Sequence, residues 1–187
     1  IALVQQAEAY LAGCPVAPPP VQMPDPEAPL RHDLAALRQA ISQAAGVPMI
    51  LATHNDAACL GFAQRPDLAV IAQQGPATPD HVIRTKRVPM LGRDVAAYRA
   101  EYERYFAENK DRANFELTML DPAPRVVLDP SLGMLAAGRT AQEARIAAEI
   151  YRHTMSIIEQ ATALESYQSE STAEVFDFEY WELEQAK

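Results

Sequence analysis

The sequence predicts a layered α/β domain built around a central, mostly mixed sheet. Three observations carry that expectation. Short apolar runs bounded by turn residues, at 47–53, 67–73, 125–128 and 134–137, read as buried strands. Between them lie stretches with apolar residues at helical spacing, such as Leu34, Leu37, Ile41 and Ala44. Strands interleaved with helices pack as sheet-and-helix layers, and a Rossmann-like parallel arrangement is the alternative.

A chain of 187 residues buries one good core, so one domain plus extensions is expected. The formal net charge of -9 argues against a general nucleic-acid or anionic-membrane binder, though a local basic patch could still hold a phosphate. Cys14 and Cys59 fit neither a disulfide framework nor a metal-ligand spacing and read as free thiols. With no signal peptide and no apolar run of bilayer length, a reducing cytoplasm is the expected setting. Ile1 starts without Met inside a helical pattern and Lys187 stops inside another, as in a piece of something longer.

In order, residues 1–13 place Val4, Ala7 and Leu11 on one helical face, with Gly13 as the stop. Residues 14–29 carry seven of the chain's prolines and read as an extended tether at a domain boundary. Asp33 is expected to cap a helix ending at Gly46. His54, Asn55 and Asp56 turn the chain after the first strand, and residues 57–63 fit a short helix or a strand. Asp94 caps a helix whose apolar face is Val95, Tyr98, Tyr102 and Tyr105, with Phe106 beside it, a set better suited to core or interface than to a ligand. Thr140 with Glu143, and Ser171 with Glu174, have capping-box spacing, the first opening a long helix through Ala147, Ile150, Thr154, Ile157, Ala161 and Leu164.

Residues 75–90, G-P-A-T-P-D-H-V-I-R-T-K-R-V-P-M, hold the polar residues that look placed rather than scattered. Thr78 can cap a short helix with Pro79 first and Asp80 in its first turn, leaving N–H groups suited to an anion. The following run is expected to be extended, which puts Arg84 and Lys86 on one face and Thr85 and Arg87 on the other. An anion site from Thr78, Asp80, His81, Arg84 and Lys86 is one reading. The other is a turn pinned by Asp80 and His81, on an edge strand whose basic residues pair with nearby acids. Arg125 and Arg139 are secondary candidates, and Arg139 also flanks the helix cap.

Residues 125–164 run strand, turn, Gly133-x-x-x-x-Gly138, Arg-Thr cap and long helix, an order that resembles the C-terminal part of the class II aldolase/adducin domain. In that family a metal-binding His precedes the first Gly, where this chain has Leu132. Its H-x-H strand resembles Leu51-Ala52-Thr53-His54, with Ala52 at the first His and His54 at the second, although His54 also reads as a turn residue. One imidazole cannot hold a catalytic divalent ion.

A wider resemblance covers nearly the whole chain. It runs through residues 75–89, D-P-A-P-R-V-V-L-D-P-x-L-G-M, A-A-G-R-T-A-Q-E-A-R-I-A-A-E-I-Y-R-H-T and E-Y-W-E-L-E-Q-A-K. Together these are similar to the middle region of bifunctional class II aldolase/short-chain dehydrogenase proteins of the rhamnulose-1-phosphate aldolase/alcohol dehydrogenase type. The resemblance implies that 1–13 is the last helix of a preceding aldolase domain, 14–29 a linker and 30–169 the middle domain. Residues 170–187 would then be an acidic aromatic segment leading to a dehydrogenase. Zinc would belong to the parent's aldolase and NAD to its dehydrogenase, with no cofactor in this stretch. This stretch has no cofactor loop and no Tyr-x-x-x-Lys pair, so the implied role is joining two catalytic domains, possible self-association included; an anion-binding or lyase domain using residues 78–86 is the alternative. Phe176, Phe178, Tyr180 and Trp181 are expected to lie exposed as a docking segment.

Overall fold

A computed structural model describes residues 1–14, 16–18, 20–23 and 30–182, so half of the proline-rich tether and the last five residues lie outside it. Within the tether, Gln22 is held to Gln64, whose side chain accepts from the Gln22 amide at 2.8 Å and donates to its carbonyl at 2.7 Å.

Helix α1 (Ala2–Ala12) has no buried residue. Helix α2 (Leu30–Ala45) lays Leu37 and Ile41 onto the sheet and stops before Gly46. Strand β1 (Ile50–His54) follows, then α3 (Ala57–Ala63), α4 (Leu68–Ile71), a 3-10 turn at Pro79–His81 and α5 (Val82–Thr85). Strand β2 (Met90–Leu91), α6 (Val95–Asn109), β3 (Val126–Asp129), β4 (Gly133–Gly138), α7 (Ala141–Leu164) and α8 (Thr172–Glu179) complete the order.

The sheet order is β1-β4-β3-β2. β4 runs antiparallel to both β1 and β3, while β2 pairs parallel with β3. The sheet is therefore mixed, and its antiparallel centre excludes the Rossmann-like parallel alternative. Strand side chains alternate between faces, and both central strands are buried throughout. Val126, Leu128, Met134 and Ala136 meet α3 and α7 through Phe62, Ala147, Tyr151 and Met155. On the other face Val127, Leu135 and Ala137 meet α2 and α6 through Leu37, Ile41 and Val95. A strand buried on both sides reads as a continuous apolar run, which is why β3 and β4 stand out in the sequence.

Four local expectations need correction. Residues 67–73 form a helical turn rather than a strand: Leu68, Ile71 and Ala72 pack inward while Val70 is exposed, a 3-4 spacing that a short apolar run hides. Asp33 does not cap α2 but sits in its first turn. Its carboxylate instead accepts from Arg93 at 2.5 Å, and Arg93 also holds Asp129 at the end of β3. Residues 82–85 are helical, not extended, with the Thr85 hydroxyl bonded to the His81 carbonyl one turn back at 3.1 Å. Finally, Phe176 and Tyr180 are buried against Tyr105 and Phe106 of α6, while Phe178 and Trp181 remain exposed. The anticipated docking segment is half core: α8 repeats on one face what α6 offers on its own.

Three other caps form where the sequence places them. Asp94 accepts from Ala97, Thr140 from Glu143, and Ser171 with Glu174 forms a full capping box. Residues 57–63 resolve as a helix because Asp56 accepts the Cys59 amide at its start. Among the described residues no helix is long and apolar enough to cross a membrane.

Candidate functional site

Three places could carry chemistry. The first is the corner where β1 meets the β3–β4 turn. The ladder sets Ala52 opposite Ala136 and His54 opposite Met134. Gly133, at φ +78°, lies so close to β1 that a Cβ would stand 2.5 Å from the His54 carbonyl oxygen. A Cβ on Gly138 would run into the Ala144 amide and Glu143 at the start of α7. The G-x-x-x-x-G spacing is thus enforced by backbone packing.

The donors at this corner do not fit zinc. Leu132 is 5% exposed and packs in the apolar cluster of Leu37, Ile41 and Leu135. Ala52 offers no donor atom. His54 Nδ1 lies 3.4 Å from the Arg152 guanidinium, which pairs with Asp56, while Nε2 is buried without a partner. Burial lowers the pKa of His54, and the Arg152 charge lowers it further. A divalent cation would meet one imidazole and a guanidinium beside it. Among the described residues no group of three His, Cys, Asp or Glu is placed to hold a metal ion.

The second place is the polar stretch at 78–86, whose residues are dispersed. Thr78 takes the N-cap position of the 3-10 turn but makes no side-chain cap bond. Thr78 and Asp80 are exposed, and His81 is half-buried with Nδ1 lacking a partner. Lys86 turns inward at φ 64°, a left-handed conformation unusual outside glycine. It is 6% exposed, with Nζ 2.8 Å from Tyr102 Oη and 3.3 Å from Glu179 Oε1. Burial lowers its pKa, with the Glu179 carboxylate opposing that shift. The Tyr102 hydroxyl donates to Glu179 at 2.8 Å, so Tyr180, 2.9 Å away, donates to Tyr102. Burial and the nearby Glu179 push the Tyr102 pKa well up. Lys86 therefore belongs to an internal polar knot joining α5, α6 and α8, and does not share a face with Arg84.

The third place is a cleft of about 190 Å³ lined by Ile83, Arg84, Arg125, Ala137, Arg139, Glu143 and Ile146. Arg84 comes from α5, Arg125 from the residue before β3, and Arg139 from the junction between β4 and α7. Pairing of β3 with β4 makes the last two neighbours, since the Ala137 amide donates to the Arg125 carbonyl at 2.8 Å. Arg125 also holds Asp121 at 2.6 Å, and Glu143 accepts from the Arg139 amide at 2.8 Å. Of the five candidate residues at 78–86, Arg84 alone lines this cleft; Arg125 and Arg139 join it. Their meeting depends on the order of strands, which no local pattern reveals. Glu143, legible as a helix-cap residue, had no sequence signal for lining a cleft.

Residues 28–187 match the family described as aldolase class II, second domain. The chain belongs to that family. It is also 27% identical over 168 residues to the protein named "Uncharacterized oxidoreductase YuxG" of Bacillus subtilis (strain 168). That similarity takes in 81% of this chain but only 24% of the Bacillus protein, so the chain spans about a quarter of its relative's length. No solved structure matches. As a class II aldolase second domain, the chain carries the Gly133–Gly138 spacing and the capped α7, while the corner at β1 offers one imidazole beside a guanidinium.

Proposed function

We propose that this class II aldolase second domain is a non-catalytic middle domain of a longer bifunctional protein. It joins a zinc-dependent sugar-phosphate aldolase domain to an NAD-dependent short-chain dehydrogenase domain, of the rhamnulose-1-phosphate aldolase/alcohol dehydrogenase type, in the cytoplasm. The observation that carries this reading is Leu132, buried in an apolar cluster where an aldolase needs a metal-binding imidazole. The short coverage of a much longer relative whose name includes oxidoreductase supports the flanking dehydrogenase. α1, which has no buried residue, suits packing against a preceding domain.

The chemistry then lies outside this chain, and its own residues act by holding shape. Arg93 clamps α2 to the end of β3, and the Lys86 knot clamps α8, from which the chain continues, to α5 and α6. Two rigid attachment points fix the spacing and orientation of flanking domains, including in a self-associated assembly. The test is excision of residues 30–182 from the whole protein and their replacement by a flexible linker. Both catalytic activities should persist while the assembly size in solution changes. Loss of either turnover number with an unchanged assembly would overturn the reading.

A further inference from the structure

The cleft between α5, β3 and the β4–α7 junction has no part in the joining role, and its lining is not that of a packing defect. Three arginines from three separate segments line one small volume of about 190 Å³. The formal net charge of the chain is -9, so gathering arginines at one point runs against the overall composition. Arg125 pairs with Asp121, and Glu143 is the acid among the residues lining the cleft. A guanidinium carries five N–H donors in a planar fork matched to carboxylate and phosphate oxygens. The bonds of Arg125 to Asp121 and to the Ala123 carbonyl do not exhaust them.

We propose that this cleft binds a small oxyanion, a phosphate or carboxylate group, through Arg84, Arg125 and Arg139. Size sets the ligand class. The cleft lies below the roughly 300–1,000 Å³ of pockets that take drug-sized molecules, so a nucleotide cofactor is too large. Ile83 and Ile146 supply apolar walls that limit water on one side of the bound group and strengthen its contacts. Glu143, exposed at the rim, is placed to accept from a hydroxyl of the bound molecule. Arg139 is exposed and reaches the ligand from solvent, while the half-buried Arg84 and Arg125 form the floor.

The experiment is calorimetric titration of the folded chain with inorganic phosphate and, separately, with malonate, each at matched ionic strength. Saturable binding is expected for at least one of them. It should weaken ten-fold or more in Arg139→Gln and in Arg84→Gln. It should not change in Arg145→Gln, which removes an exposed arginine paired with Glu149 on the same helix. Preference for phosphate assigns the natural ligand to phosphorylated molecules, and preference for malonate to carboxylates. Because the Arg139 side chain is exposed, its variant keeps the fold and decides the matter even if Arg84→Gln unfolds. No saturable binding of either anion, or equal binding by Arg139→Gln and the unaltered chain, overturns the proposal. Excision leaves this result untouched, so failure of the joining role and failure of the anion site are separate outcomes.

Discussion

Lys86 and Glu179, 93 positions apart in the chain, meet inside the protein with Nζ 3.3 Å from Oε1. Both side chains are almost wholly buried, at 6% and 1% exposure. A buried ion pair adds little net stability over an apolar pair, but losing one partner strands a charge. Glu179→Gln should therefore destabilise the fold by about 3–5 kcal/mol. The double variant Lys86→Met/Glu179→Leu should recover most of that. Urea unfolding of the three proteins checks this; equal losses in the single and double variants would show that the pair matters for packing alone.

Gly133 tests the claim that the G-x-x-x-x-G spacing is structural here. At φ +78°, Gly133→Ala incurs the left-handed penalty of about 1–2 kcal/mol, and its Cβ also meets the His54 carbonyl 2.5 Å away. The midpoint of thermal unfolding should fall well below that of a control such as Ala136→Gly measured alongside. Strand β1 should lose amide-exchange protection first, because His54 is the group pushed away.

Acid should loosen the link between α7 and the β1–α3 turn. The hydrogen bond from Arg152 lowers the Asp56 pKa from 3.8 to about 2. Between those values the unfolded chain binds more protons than the folded one, so stability rises with pH there. The contribution is complete above about pH 4 and is lost as the pH falls to about 2. Asp56→Asn preserves an equally good helix cap and should flatten the acid limb of stability against pH. An unchanged acid limb would show that Arg152 and Asp56 do not pair in solution.

Much of the fold was legible because its signals are local. Asp94, Thr140 and Ser171 announce helix starts through side chains that reach only three residues ahead. β3 and β4 announce themselves as apolar runs because both of their faces are covered. What misled were segments whose state is decided at a distance. Residues 67–73 are apolar enough for a strand, yet no neighbour pairs with them in the sheet. Lys86 looks like a surface cation until Glu179 and Tyr102 arrive from far along the chain. Phe176 and Tyr180 likewise found their partners on α6, whose aromatic face was recognised but left without an occupant. The candidate site followed the same rule. Arg84 was visible within a placed-looking stretch, whereas its grouping with Arg125 and Arg139 is a product of strand order.

The most direct test of a domain without metal chemistry is zinc stoichiometry combined with turnover. The purified chain should be dialysed against micromolar zinc, its bound metal counted, and aldol cleavage of ketose phosphates assayed on the same sample. We expect no stoichiometric zinc and no cleavage above buffer, with His54→Ala indistinguishable from the unaltered chain. One tightly held zinc per chain, lost in His54→Ala and accompanied by turnover, would contradict the reading of Leu132 as the mark of a non-catalytic domain.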